Sequence, residues 1–317
     1  MNLPNVGIFF FILIFFCTFV PSKGLNSFMQ AEKIYDRLSS VRFWVSLLFL
    51  GLALYGGVFL WRLYVFHLVP AEELPMYGSK VKHNDDTLRV AFIGDSWAEY
   101  HTTLRCDTIF VKKAKLFTDK PVKCTNRGKG GAMSKEIYYY MFSSMTVESP
   151  TEPDRCTQPL IEAHPDYCVV MAGINDCIFQ RPLNYFKQNY RLILRLLLHN
   201  GIRPVVMQMP RVNDVMAIDY KPWHKRTPYH IRAWLLGTRS YRVPKYREAL
   251  VEMLNETGLK DSVLYIPADK WGKGGWQDRS IFSWDAIHLH LQGYEVLDSC
   301  IASEIIKDWN LRNGKEN

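Results

Sequence analysis

The sequence predicts an α/β fold: a three-layer sandwich around a central, mostly parallel sheet, preceded by N-terminal transmembrane helices. Three observations carry this. From residue 88 onward, short apolar runs alternate with segments of helical periodicity, the pattern of a sheet covered on both faces by helices. Polar, glycine-bearing motifs close the apolar runs, as at Gly94-Asp95-Ser96 and Gly173-Ile174-Asn175-Asp176. Two charge-free apolar runs stand ahead of the first strand.

The first of those runs covers residues 6–20 and is centred on Phe9 to Phe16. As a helix it rises only about 22 Å, short of the roughly 30 Å hydrocarbon core of a bilayer. The second, the nineteen residues 43–61, holds no charge, and the apolar segment extends to about residue 66. Arg62 can snorkel at its end, and Trp44, Trp61 and Tyr64 lie where interfacial aromatics collect. This is the stronger span. Between the runs, Lys23, Lys33, Arg37 and Arg42 outnumber Glu32 and Asp36. The positive-inside tendency puts that stretch in the cytoplasm and everything beyond about residue 70 on the far side. No basic n-region precedes the first run, which argues against a cleaved signal. The anchor is therefore expected over 1–69, a linker over 70–86 marked by Pro70, Pro75 and Gly78, and the catalytic domain over 87–317.

Within that domain the strands are expected at 88–93, 166–172, 203–209 and 262–266. Helices are expected at 97–104, 183–198, 246–255 and 292–309, with residues 126–134 as a flexible glycine-rich loop. In sheets of this kind the reactive groups gather beyond the carboxyl ends of the strands.

Composition removes several classes. Of 317 residues, 48% are hydrophobic and 22% charged, which excludes disordered and collagen-like chains. Thirty-nine basic against thirty-one acidic residues give +8, a diffuse excess that by itself indicates no nucleic-acid partner. The nine histidines are scattered and no zinc-type spacing occurs, so neither metal nor other cofactor is expected. Cys106, Cys124, Cys156, Cys168, Cys177 and Cys300 lie outside the apolar runs. They allow disulfides in an oxidising compartment without fixing any pairing, and Cys168, in a strand-like run, suits a buried thiol.

The polar motifs carry the chemistry. A serine hydroxyl attacks carbonyl carbon only when a base takes its proton, and an imidazole with a pKa of about 6.5 can do so. Ser96 and His288 supply that pair, with Asp285 three residues before the histidine. Blander roles exist for each: Ser96 as a helix N-cap, Asn175 as a turn residue, Asp95 and Asp176 as structural carboxylates, and His290 as a competing base. Gly128, Gly130 and Gly131 superficially suggest a phosphate cradle, but no Lys-Ser ending follows and the dinucleotide pattern is not met.

Four blocks in order resemble the SGNH hydrolase superfamily, the GDSL esterases and lipases: Gly94-Asp95-Ser96, Asn126-Arg127-Gly128-Lys129-Gly130-Gly131, Gly173-Ile174-Asn175-Asp176, and Asp285-Ala286-Ile287-His288 followed by Leu289 and Gly293. The resemblance implies an SGNH/flavodoxin-like sandwich, with Ser96 as nucleophile, His288 as base and Asp285 as its partner. It also implies that Gly131 lends a backbone N–H, and Asn175 its side-chain amide, to an oxyanion hole. Trp97-Ala98 stand where the lipase motif has leucine, which withdraws support for a lipase reading.

Residues 211–247 hold nine Lys or Arg, two acidic residues and interleaved aromatics, among them Trp223. Such a stretch suits a cleft for a carbohydrate, anionic lipid headgroups, or a solvated basic loop. Trp97, Trp223 and Trp284 are the expected substrate-contacting aromatics. The expected function is a membrane-anchored, extracytoplasmic serine esterase taking O-acetyl groups from a cell-envelope carbohydrate. The alternative is an O-acetyltransferase to a polysaccharide or peptidoglycan hydroxyl, which needs a membrane partner to deliver the acyl group. A lipase, a thioesterase or a non-catalytic binding protein ranks below both. The expected partners are an acyl-ester substrate and the lipid bilayer.

Overall fold

The computed structural model describes residues 28–103, 106–143 and 156–314. The chain divides into two units, Met1–Trp61 and Arg62–Asn317. Helix α1 (Phe28–His67) contains the segment Ser40–Arg62, of mean hydropathy 2.1 and with none of it buried, which is long and apolar enough to cross a membrane. Its apolar residues lie on all sides, so no single face is set aside for a protein core. The earlier apolar run, 6–20, lies outside the described residues.

In the second unit five strands form one sheet: β1 (Leu88–Gly94), β2 (Val122–Gly128), β3 (Tyr167–Met171), β4 (Arg203–Met207) and β5 (Leu264–Ile266). Their order is β2-β1-β3-β4-β5, and every neighbouring pair is parallel. β1 and β3 are buried almost throughout because helices cover both faces, which is why they read as continuous apolar runs.

Right-handed crossovers decide which helix goes where. The step from β1 to β2 runs one way along the sheet and sends α2 (Ser96–Thr103) and α3 (Cys106–Ala114) to one face. All later steps run the other way. They send α4 (Ser134–Tyr140), α5 (Gln158–Glu162), α6 (Ile174–Ile178), α7 (Leu183–His199) and α10 (Val243–Glu256) to the opposite face. The last helix, α11 (Leu291–Arg312), returns to pack on α3. α7 shows how sequence sets the packing: Phe186, Tyr190, Ile193, Leu194 and Leu197 recur on one side and all are fully buried. The strand order reverses between β1 and β3, and a ligand crevice is expected beyond their carboxyl ends.

Four departures from the sequence expectation bear on the architecture. β2 is a strand where a loop was expected to begin at residue 126; as a half-exposed edge strand its residues are mixed polar and apolar, and no apolar run marks it. β4 stops two residues early, at Met207. α10 begins at Val243, three residues early, because Pro244 is tolerated in a first turn. The basic excursion is helical, with α8 (Asp214–Asp219) and α9 (Trp223–Leu235).

The stretch expected as a linker is laid along the domain in its first half. Asn189 Oδ1 accepts the N–H of Ala71 (2.7 Å), the Tyr138 hydroxyl accepts that of Leu74 (2.9 Å), and the Tyr77 hydroxyl donates to the Met141 carbonyl (2.6 Å).

Candidate active site

β1 ends at Gly94, with φ of +153°. A Cβ there would lie 2.0 Å from the Met171 carbonyl oxygen on β3, so only glycine lets the chain turn at this point. Asp95 then caps α2. Its Oδ1 accepts the N–H of Trp97 (3.0 Å), and its backbone carbonyl accepts those of Ala98 and Glu99 (3.1 and 3.0 Å). The cap is thus Asp95 and not Ser96, whose side chain is left for other work. Burial pushes the Asp95 carboxyl up to about 7, against the Trp97 N–H and the nearby His288.

Ser96, 9% exposed, points its hydroxyl at His288, with Oγ to Nε2 at 2.9 Å. The other ring nitrogen, Nδ1, lies 2.5 Å from Asp285 Oδ2. Since a carboxylate only accepts, Nδ1 carries the proton, and in the neutral ring Nε2 is free to accept from the serine. A tight turn holds this arrangement. Phe282 and Leu289 form an antiparallel bridge, the Ser283 N–H donates to the His288 carbonyl (2.8 Å), and Ala286 between them has φ of +59°. Asp285 Oδ1 accepts from the Ser283 hydroxyl (2.6 Å) and from the N–H of Ile287 (3.0 Å) and His288 (2.9 Å). Burial alone would raise the Asp285 carboxyl. These bonds together with His288 overcome it and hold the group well below the usual carboxylate range. His290 turns away, with Nε2 3.2 Å from the Arg279 carbonyl.

The loop after β2 lies beside the serine: a Cβ on Gly130 would sit 3.9 Å from Ser96 Cβ. It is tied on both flanks. The Gly130 N–H donates to Glu99 Oε2 (2.8 Å) and the Lys129 N–H to the Gly94 carbonyl (3.0 Å). On the other side Asn175 Nδ2 donates to the Ala132 carbonyl (3.0 Å), and Asp176 accepts from the Ser134 N–H (2.9 Å) and hydroxyl (2.7 Å). Between these ties stands Gly131, at φ of +78° and with open space where a Cβ would be. Burial raises the Asp176 carboxyl to about 6 in spite of both bonds from Ser134. Ser96, His288 and Asp285 are therefore joined directly, while Gly131 stands on the loop beside them and Asn175, in α6, braces that loop.

The three tryptophans separate. Trp284, immediately before Asp285, is 81% exposed, and Trp223 at the start of α9 is 71% exposed. Trp97 corrects the expectation of a substrate contact: only 4% exposed, it packs edge-on against Trp271 and Phe282. Its place in the second position of α2 turns it inward, to the side opposite the serine. The excursion of residues 211–247 does start at the site, where the Asn213 N–H donates to the Ala286 carbonyl (3.0 Å). Cys168 and Cys177 are buried thiols.

Sequence reasoning missed three supports. Glu99 braces the glycine loop from one helical turn beyond Ser96, and Tyr100 packs beside the His288 ring at 4.9 Å. His101 and Asp298 form a buried pair (2.9 Å), and His101 Nδ1 lies 2.8 Å from the Trp97 carbonyl. His101 stands four residues after Trp97, the reach of one helical turn, but its partner lies 197 residues away along the chain.

Comparison with known proteins gives the family. Residues 92–296 match the GDSL-like lipase/acylhydrolase family. Among solved structures, a lipase/acylhydrolase from Enterococcus faecalis is similar at 14% identity and a TM-score of 0.48, over 70% of this chain and 96% of that one. An acetylxylan esterase from Geobacillus stearothermophilus is similar at 16% identity and 0.44, over 72% and 95%. A GDSL-like lipase from Bacteroides thetaiotaomicron is similar at 14% identity and 0.41, over 70% and 88%. No curated protein sequence matches the chain. With about two thirds of its length matched to the family and the family's four blocks in order, the chain belongs to the GDSL-like lipase/acylhydrolases, serine-hydrolase enzymes that act on esters.

Proposed function

We propose that the protein is a membrane-anchored serine esterase, on the extracytoplasmic side, that removes short acyl groups, O-acetyl foremost, from a cell-envelope carbohydrate. One observation carries the reading: the His288 imidazole reaches from Ser96 Oγ at 2.9 Å to Asp285 Oδ2 at 2.5 Å. Ser96 Oγ attacks the ester carbonyl carbon as its proton passes to His288 Nε2. Asp285 stabilises the imidazolium through Nδ1–H. The carbonyl oxygen gains charge, and three donors serve it: the Ser96 N–H in the first turn of α2, which no helical carbonyl can take, the Gly131 N–H, and the second N–H of Asn175 Nδ2. Each such donor is worth about 3–4 kcal/mol in the transition state. Collapse expels the sugar hydroxyl, which takes its proton from His288. Water then attacks the acyl-serine by the same route and releases the carboxylic acid.

Two features support a small acyl group on a sugar. The cavity behind the nucleophile turn measures only about 20 Å³ and is walled by Met171, Ile174, Trp271 and Leu297, which leaves no tunnel for a fatty chain there. Trp284 offers an open indole face beside the acid–base pair, a surface on which a sugar ring can stack. The apolar segment Ser40–Arg62 supports the anchor.

The test uses the full chain in detergent with p-nitrophenyl acetate and with O-acetylated xylo- or chito-oligosaccharides, Ser96→Ala serving as control. Acetate release should fall at least about 10³-fold in the variant. Release that does not depend on Ser96 overturns the nucleophile, and rates that climb with acyl length overturn the short-acyl assignment. An acetyl group gained by an unacetylated oligosaccharide makes the enzyme a transferase instead.

A further inference from the structure

Three polar atoms behind the nucleophile turn have no hydrogen-bond partner among the described residues: Asp95 Oδ2, Trp97 Nε1 and Trp271 Nε1. Their residues are 1%, 4% and 6% exposed, so bulk solvent does not serve them. All three residues line the same cavity of about 20 Å³, at the carboxyl ends of β1, β3 and β4. The rest of its wall is mainly apolar, with Met171, Ile174 and Leu297. The two indoles meet edge to face with centroids 5.7 Å apart.

We infer that this cavity is a built binding site for a single water molecule, which accepts from the N–H groups of Trp97 and Trp271 and donates to Asp95 Oδ2, so that Trp271 positions the nucleophile turn through it. The chemistry of the donor set selects the ligand. Two N–H donors require two lone pairs, and a carboxylate oxygen requires a donor; water supplies both from one atom and makes the three bonds usual for a buried water. A cation would face two N–H groups, and an anion would face Asp95. The volume of about 20 Å³ exceeds the 10–15 Å³ or so that one water needs. Left without such a partner, each of the three groups would carry the desolvation cost of an unmade hydrogen bond, in a turn that also has to hold Gly94 at a positive φ.

The consequence is positional. Asp95 and Trp97 stand on either side of Ser96, whereas Trp271 follows β5 on a different part of the sheet. Asp95 Oδ1 is already committed to capping α2, and a donor on Oδ2 fixes the remaining freedom of the carboxylate. Donation from water also favours the ionised carboxylate, opposing the upward push of burial. The solvent site stands apart from the reading of Ser96 as nucleophile; only its positioning effect rests on that reading.

The test is a crystal structure of the full chain, beside that of a chain with Trp271→β-(3-benzothienyl)alanine, a replacement that keeps the indole shape and puts sulfur in place of N–H. The parent should show a solvent peak about 2.7–3.2 Å from all three atoms. In the isostere the peak should be lost or displaced. With it, kcat on p-nitrophenyl acetate should fall about three- to tenfold at unchanged KM, and labelling of Ser96 by a fluorophosphonate should slow in parallel. A parent without the peak, or one in which Asp95 Oδ2 meets a protein donor, overturns the site. An isostere with full kcat and full labelling rate overturns the positioning role. If Ser96 does not label even in the parent, the nucleophile reading and the positioning role fail together, and the density alone still decides the solvent site.

Discussion

Asp285 grips His288 twice: Oδ2 lies 2.5 Å from the ring Nδ1, and Oδ1 accepts the backbone N–H of the same residue at 2.9 Å. One carboxylate therefore sets both the tautomer of the imidazole and the turn that carries it. Asp285→Asn keeps the shape but offers Nδ1 an amide that can reverse the tautomer. Its kcat should fall by about 10³- to 10⁴-fold with little change in KM, as steady-state kinetics on p-nitrophenyl acetate will show.

Glu99 acts on the other half of the site by accepting the Gly130 N–H at 2.8 Å. Glu99→Ala releases one flank of the loop that carries Gly131. kcat should drop about tenfold while KM holds, and Glu99→Gln, which keeps an acceptor oxygen, should recover most of it. Equal losses in both variants would show that the acceptor is not what matters.

Ser134 and Asp176 brace the opposite flank. The Asp176 carboxyl titrates near 6 when folded, against about 3.9 for a free aspartate. The folded protein thus binds more protons than the unfolded chain between those values, and this group's contribution to stability declines as pH rises through that window. The Ser134 hydroxyl favours the ionised form, so Ser134→Ala raises the folded pKa further and widens the window. The variant should be destabilised by about 1 kcal/mol at pH 5 and by more at pH 8. Denaturant unfolding at the two pH values checks the sign.

Deep beneath the site, His101 Nδ1 faces the Trp97 carbonyl, so that nitrogen carries a proton, and Nε2 meets Asp298 Oδ1 at 2.9 Å. The pair is wholly buried, and burial raises the Asp298 carboxyl. Asp298→Ala strands Nε2 away from water and should cost about 3–5 kcal/mol of stability, read as a lowered denaturation midpoint.

Trp284 is the test of the carbohydrate assignment. Trp284→Ala should lower kcat/KM on an acetylated oligosaccharide about three- to tenfold, with a smaller loss on p-nitrophenyl acetate, which brings no sugar ring. Equal losses on the two substrates would remove the sugar-stacking role.

The strands β1, β3 and β4 were readable because both their faces are buried, which leaves an apolar run that needs no context. β2 was not, since an edge strand exposes half its residues and Val122 to Gly128 reads as a polar loop. Motifs and spacing single out Ser96, His288 and Asp285, and the fold brings these three side chains into contact. Trp97 was misjudged because adjacency to Ser96 in the chain says nothing about which side of α2 faces the crevice.

What the sequence by itself determined is local or periodic: the apolar segment before residue 62, the succession of strands and helices, the glycine demanded at position 94, and the three-residue step from Asp285 to His288 that closes one turn. Tertiary structure decided whatever joins distant parts of the chain. Ser96 and His288 stand 192 residues apart and meet only because β1 lies inside the sheet, between β2 and β3, and the returning loop before α11 passes over its end. The bracing of Gly131 by Glu99 and Asn175, the burial of Trp97 against Trp271, and the exposure of Trp284 likewise follow from packing. Burial and distance belong to the folded chain as a whole, and no window of residues carries them.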